Sequence, residues 1–146
     1  MMKKPVSHIL AEVRAVYQEL TKRPAQRNCV ARTECCQFQL TGLTPHLTKG
    51  EALLAAKALR STGRRDLPAA DDGVCPLLQR ATGRCLIYAD RPFACRTHFC
   101  DVAGGPYARK EVLDLIRRLE DLDARLNGGG PRKISAAVAD ALAELR

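Results

Sequence analysis

Apolar residues recur at helical spacing in four stretches of the chain. In residues 6–22 a large apolar side chain returns at every third or fourth position, which is typical of an amphipathic helix. The same spacing predicts three further helices over residues 48–60, 107–127 and 134–145. Because one-sided apolar stripes normally face a core, we expect these four helices to form the framework of the fold.

Local signals mark where these helices begin and end. Thr48 and Glu51 form a T-x-x-E capping box, in which each side chain can satisfy the other residue's backbone N–H. Pro24 follows the first helix, and Gly63 follows the second. The third helix runs into three glycines and a proline at 128–131, which predicts its end there.

Residues 75–88 differ from the helical stretches because two short apolar runs flank a turn signal at Thr82 and Gly83. This pattern predicts a small β-hairpin. The hairpin would bring Cys75 and Cys85 near each other.

A short helix is predicted directly after the hairpin. Asp90 precedes Arg91 and Pro92, and an aspartate cap with proline in the first turn is a helix-start signal. The helix would hold Cys95 and leave Cys100 just past its end. Residues 28–47 and 61–74 are rich in turn-forming residues and predict irregular loops.

Composition is consistent with a small globular protein. The chain has 146 residues, of which 46% are apolar and 27% charged, so a folded core is expected. Aromatic residues make up only 4%, which argues against a stacking surface for single-stranded nucleic acid. The chain has neither a run of 18 apolar residues nor an apolar export signal, so we expect a cytoplasmic protein that does not span a membrane.

These patterns together predict a mainly α fold: a small single domain of about four helices with a short β-hairpin and a cysteine-ligated loop region. The domain would span residues 1–146. Within it, residues 28–100 would form the cysteine-cluster region and residues 107–146 a C-terminal helical hairpin.

The net charge of +8 allows nucleic-acid binding but does not favour it. Basic residues occur as scattered short pairs, such as Arg64-Arg65 and Arg117-Arg118, and do not form one dense tract. A nucleic-acid footprint needs clustering on one face. The excess charge also fits solubility, or compensation of anionic thiolates.

The cysteines carry the clearest chemical signal. In a small protein of a reducing compartment, seven cysteines indicate metal or cluster ligation, since disulfides are rare there. Soft thiolates select zinc, copper(I) or iron–sulfur clusters over hard cations, and the spacing leaves the metal open. The candidate ligands are Cys29, Cys35, Cys36, Cys75, Cys85, Cys95 and Cys100.

The arrangement of these cysteines resembles a known family, the YkgJ-type cysteine-cluster family, a zinc- or iron-chelating domain with a CxxCxxCC signature. The resemblance covers about residues 28–100. It is carried by the strings Cys29-x5-Cys35-Cys36, Cys75-Pro-Leu-Leu, Gly83-Arg-Cys85-Leu-Ile-Tyr88 and Arg91-Pro-Phe-Ala-Cys95-Arg-x3-Cys100.

The chain departs from the family pattern at one position. Arg32 stands where the signature has its second cysteine, so seven thiols remain for sites that eight could fill. His98, between two of the cysteines, is the first candidate to replace the missing ligand. His46, His8 and Glu34 are weaker candidates. Whether the chain forms one centre or two stays open.

Arginines next to the cysteines form a second candidate feature. Arg32, Arg84, Arg91 and Arg96 could donate to sulfur and stabilise an anionic cluster, or could form a solvated face.

We therefore expect a metal-binding protein that holds an iron–sulfur cluster or zinc, with electron transfer or redox sensing as possible uses. The alternative is a zinc-stabilised module that binds nucleic acid or protein. The resemblance also extends to flagellin lysine methylases, but the chain has no G-x-G-x-x-G loop for a cofactor. We assign no catalytic residue and favour a binding protein over an enzyme. A protein partner or a redox partner is compatible with metal binding, and the sequence does not identify one.

Overall fold

The computed structural model describes residues 4–22, 45–64, 67, 75–79, 84–97 and 109–145. Within these ranges the fold is mainly helical, as predicted, and four of its helices are long. The helices are α1 (Lys4–Lys22), α2 (Lys49–Ser61), α3 (Phe93–Thr97), α4 (Arg109–Arg125) and α5 (Ile134–Glu144), with a 3-10 turn at Tyr88–Asp90. The four long helices confirm the helices predicted from the apolar periodicity. Their bounds differ from the predicted bounds by a few residues at most.

One two-stranded antiparallel sheet is the predicted hairpin. Strand β2 (Leu78–Gln79) pairs with β3 (Arg84–Cys85), and Leu78 lies opposite Cys85. The turn predicted at Thr82 and Gly83 lies outside the described residues.

A second two-stranded sheet was not predicted. Strand β1 (His46–Leu47) pairs antiparallel with β4 (Arg132–Lys133), so that Leu47 lies opposite Arg132. A strand of two residues is too short to show any alternation of polar and apolar positions. The pairing joins the segment before α2 to the segment before α5.

Helix α2 lies at the centre of the framework. It contacts α1, α4 and α5, and its most extensive contact is with α5. Leu54 and Leu59 are fully buried on it, beside small residues such as Ala55 and Ala56. At Gly50 a Cβ atom would lie 3.0 Å from Cγ2 of Val13, so the absence of a side chain permits α1 and α2 to approach closely. The core is thus built mainly from aliphatic side chains.

A buried carboxylate joins the end of α4 to the start of α2. Asp123 is only 4% exposed. Its Oδ1 accepts the backbone N–H of Lys49 at 2.7 Å, and its Oδ2 accepts that of Gly130 at 2.8 Å. The backbone leaves the helix through Asn127, which has a left-handed φ of 57°. The glycine-rich segment therefore ends α4 as predicted, and it also folds back around Asp123.

No helix in the described ranges is long and apolar enough to cross a lipid bilayer.

Candidate metal centre

The hairpin carries two of the predicted ligands. The carbonyl of Cys75 accepts the backbone N–H of Leu78 at 3.1 Å, and Leu78 pairs with Cys85. Cys75 is buried in the core, whereas Cys85 is partly buried against it. Both residues are present as thiols. Cys75 therefore lies in the turn that leads into β2, and Cys85 lies on the paired strand β3.

Cys95 is the third predicted ligand in the described ranges. It lies in α3, is partly buried and is present as a thiol. Its backbone N–H donates to the carbonyl of Pro92 at 3.0 Å. Because α3 has only five residues, it cannot hold this position through its own helical hydrogen bonds alone.

The start of α3 is capped by a residue from another helix. The backbone N–H of Phe93 donates to Oε2 of Glu51 at 2.7 Å. The hydroxyl of Tyr17 donates to the same oxygen at 3.0 Å. The other oxygen, Oε1, accepts the backbone N–H of Thr48 at 3.3 Å and lies 3.0 Å from the Thr48 hydroxyl. The predicted capping box is thus confirmed, and the second oxygen of Glu51 holds α3 from across the fold.

Burial shapes the electrostatics of this network. Burial raises the pKa of Glu51, although the donors from Phe93, Thr48 and Tyr17 oppose the shift by stabilising the carboxylate. Burial also raises the pKa of Tyr17 well above its ordinary value, and the charges of Glu51 and Cys95 add to this. The phenol therefore stays protonated and remains a donor to Glu51.

Asp90 does not cap α3, so that part of the sequence prediction was wrong. Arg91 has an extended backbone (φ −53°, ψ 142°), because a residue before proline disfavours the helical region. The helix therefore begins only after Pro92. Asp90 instead accepts Nε of Arg14 on α1 at 3.2 Å, which ties the 3-10 turn to the framework.

Arg96 holds the backbone that leads into α3. Its Nε donates to the carbonyl of Arg91 at 2.7 Å, and one terminal nitrogen donates to that of Ala89 at 2.7 Å. Its guanidinium lies 4.2 Å above the ring centroid of Tyr17, a favourable cation–π geometry. Burial lowers the pKa of Arg96, and the charge of Arg91 adds to the effect. These contacts hold Arg96, the residue that follows Cys95, against the backbone that leads into α3.

Arg91 supplies an observation that bears directly on a metal. Its guanidinium lies 4.1 Å above the ring of Tyr88, which is 50% exposed. Its Nε is buried and has no hydrogen-bond partner in the described part of the chain. A buried donor without an acceptor costs about 1–3 kcal/mol. A metal-bound thiolate is an anionic acceptor, so an unpaired donor between Cys85 and Cys95 in the chain fits a thiolate-ligated metal.

The structure describes only three of the predicted ligands, Cys75, Cys85 and Cys95. Within the described ranges, no three His, Cys, Asp or Glu side chains converge closely enough to hold a metal ion. His8 is exposed and lies 3.7 Å from Glu12, and His46 is exposed on β1. The convergence of the early and late cysteines therefore stays a prediction. The candidate site residues that lie outside the described ranges are Cys29, Arg32, Glu34, Cys35, Cys36, His98 and Cys100.

Comparison with known proteins identifies the class of domain. Residues 26–113 match the CxxCxxCC family, described as a "putative zinc- or iron-chelating domain". The match covers more than half of the chain and includes all seven cysteines. The chain belongs to this family, which supports metal binding in general. The comparisons found no matching curated protein and no matching solved structure.

Sequence reasoning missed the polar network beneath α3. Tyr17 falls in the apolar stripe predicted for residues 6–22, and Glu51 was assigned only to its own capping box. A weak signal was present, because a tyrosine on a core-facing stripe needs a partner for its hydroxyl. The identity of that partner depends on how α1 and α2 pack.

Proposed function

We propose that this chain holds zinc or an iron–sulfur cluster through cysteine thiolates. The observation that carries the proposal is the family match over residues 26–113, which spans every cysteine of the chain. A reducing compartment such as the cytoplasm would keep the cysteines available as ligands.

The residues present fit such a centre in chemistry and in support. Bound zinc would act as a closed tetrahedral brace, whereas a cluster would supply one-electron chemistry. The chain's own contribution is to hold the hairpin and α3 in place, with Arg91 as a hydrogen-bond donor toward the anionic ligands. The proposed ligands are Cys29, Cys35, Cys36, Cys75, Cys85, Cys95 and Cys100, with His98 as the candidate for the position lost at Arg32.

The placement of Cys75 suggests that the metal contributes to folding. Cys75 is part of the core, and Cys85 packs against it. When no rigid site exists in the unfolded chain, metal-binding free energy becomes folding free energy. We therefore propose a resident metal that braces the hairpin and α3 onto the helices. Electron transfer or redox sensing would apply only to the cluster form.

Anaerobic purification followed by metal and sulfide analysis tests this proposal. A brown protein with broad visible absorption, iron and sulfide would establish a cluster, whereas a colourless protein with stoichiometric zinc would establish the brace. Cys95→Ser should lower the metal content, because it replaces a soft thiolate with a hydroxyl. Lys57→Ala, on an exposed position of α2, is the control and should bind metal like the wild type. A fully folded, metal-free protein would overturn the proposal.

A further inference from the structure

Two buried carboxylates lie near the start of α2, and each satisfies backbone donors from another element. Glu51 is 3% exposed and Asp123 is 4% exposed. Asp123 accepts from Lys49 in α2 and from Gly130 in the segment that follows α4. Glu51 instead accepts from Phe93, the first residue of the helix that carries Cys95.

Glu51 and Tyr17 contact the residues on either side of Cys95, Phe93 before it and Arg96 after it. Glu51 holds the start of α3 through the N–H of Phe93 at 2.7 Å. Tyr17 donates to Glu51 at 3.0 Å, and its ring lies beneath Arg96, the residue after Cys95. A five-residue helix leaves most of its backbone groups without internal partners, so these contacts add to the burial of Pro92 and Phe93 in fixing its position.

The contacts of Glu51 require two accepting oxygens. Oε2 serves Phe93 and Tyr17, while Oε1 serves Thr48. A glutamine at this position can still complete the capping box, since that motif accepts either residue. However, a glutamine has only one accepting oxygen, so the N–H of Phe93 loses its acceptor whenever that oxygen serves the capping box.

We propose that Glu51 and Tyr17 are positioning residues for the metal centre, because they fix α3 so that Cys95 is held in place before metal binds. The proposal deepens the proposed function and rests on it. Neither side chain would coordinate the metal. Their effect would be to lower the conformational entropy that Cys95 loses when it becomes a ligand.

Cobalt binding and thiol reactivity test this role. The variants are Glu51→Gln and Tyr17→Phe, where the phenylalanine keeps a ring beneath Arg96. Asp123→Asn is the matched control, because it alters an equally buried carboxylate with no described contact to α3. Co²⁺ titrated into each metal-free protein gives the affinity and the sulfur-to-cobalt absorption bands. Alkylation of the same proteins, followed by mass spectrometry, gives the rate at Cys95.

We expect Glu51→Gln to weaken Co²⁺ binding and to speed alkylation of Cys95, each by about tenfold, which corresponds to about 1.4 kcal/mol. Tyr17→Phe should change both in the same direction by a smaller factor. Asp123→Asn should lower the melting temperature while leaving the Cys95 alkylation rate and the cobalt spectrum close to wild type.

Equal changes in all three variants would overturn the proposal, because they would show a general loss of stability. Unchanged alkylation and affinity in folded Glu51→Gln would also overturn it. A wild-type protein that binds no metal would overturn the proposed function instead. The alkylation rates would then still decide whether Glu51 places Cys95.

Discussion

The helical framework and the cysteine-bearing segment are held together by different forces. The framework consists of α1, α2, α4 and α5, and it buries continuous stripes of aliphatic side chains. The cysteine-bearing segment, residues 75–79 and 84–97, contains no element longer than five residues. It adds few buried side chains to the core, among them Cys75, Leu77, Ile87, Pro92 and Phe93.

This difference shows what hydrophobic burial can and cannot hold. Long amphipathic helices gain enough buried apolar area to fix their own arrangement. The short elements of the cysteine-bearing segment depend on individual polar contacts from the framework, above all Glu51 at the start of α3. The proposed metal would add the remaining constraint. Substitutions in the two regions should therefore differ in the size and the location of their effects.

Leu54→Ala should produce the largest loss of stability. Leu54 is fully buried in α2, at the centre of the framework. Removing its side chain should lower the free energy of unfolding by about 2–5 kcal/mol, through lost burial and the cavity left behind. Urea denaturation of the metal-free protein measures this. Lys57→Ala, on the exposed side of the same helix, should change the value by less than about 0.5 kcal/mol. A small effect at Leu54 would contradict the assigned centre of the core.

Gly128→Ala should destabilise the framework while sparing the cysteine-bearing segment. A Cβ atom at Gly128 would overlap Oδ1 of Asp123, so the carboxylate must move. We expect a loss of about 1–3 kcal/mol from this overpacking. Hydrogen exchange should accelerate at Lys49, which donates to Asp123.

The control for this prediction is Gly129→Ala, where nothing lies within 4 Å of the added Cβ. Its cost should come only from the positive φ of 77°. If both variants accelerated exchange at Lys49 equally, contact with Asp123 would not be the cause.

Glu51 should give the stability a pH dependence of predictable sign. Burial raises its pKa in the folded state above the unfolded value of about 4.3. The folded chain therefore keeps this proton over a range where the unfolded chain has lost it. The resulting stabilisation is complete below the unfolded pKa and declines as pH rises through the folded pKa.

Thermal unfolding of the metal-free wild type and Glu51→Gln across this pH range measures the effect. The stability of the wild type relative to the variant should fall as pH rises, since the other carboxyl groups are common to both. Tyr17→Phe keeps the Glu51 carboxyl and should retain the same direction of pH dependence. A difference that grew with pH would mean that the donors to Glu51 outweigh its burial.

Arg14→Gln should cause the smallest loss of stability. Its effect on hydrogen exchange should be confined to the cysteine-bearing segment. Arg14 pairs with Asp90 at 3.2 Å, between α1 and the 3-10 turn. An exposed pair of this kind contributes about 0.2–1 kcal/mol. Hydrogen exchange should rise at Asp90 and Arg91. Arg125→Gln is the matched control, because it breaks a pair with Glu12 inside the framework at the same distance of 3.2 Å. Faster exchange at Asp90 and Arg91 in the control would contradict the prediction, because the effect would then not depend on the pair between Arg14 and Asp90.

The predictability of the fold differs between these two regions for a physical reason. The four long helices were predictable because helical periodicity repeats over several turns and capping signals lie within a few residues of each helix end. The pairing of β2 with β3 was predictable because a turn signal stands between two apolar runs. The β1–β4 pairing joins residues distant in the chain, and its two-residue strands carry no pattern.

For the site, the sequence predicted the class of chemistry, and it did not predict the residues that support α3. Cysteine spacing and family resemblance indicated thiolate chemistry, and the capping box indicated half of the role of Glu51. Asp90 had a local cap signal, yet Glu51 caps α3. A proline restricts only its neighbour, whereas the partner of a buried carboxylate depends on how separate helices pack.

The amino-acid sequence by itself determined the helices, the hairpin and the cysteine family, because these depend on short-range spacing and residue chemistry. Only the tertiary structure decided that Glu51, Tyr17 and Arg96 meet around α3, and that Asp123 joins α4 to α2. Buried polar groups must find partners in the folded chain, and those partners come from whichever backbone and side-chain groups the packed helices bring within hydrogen-bonding distance.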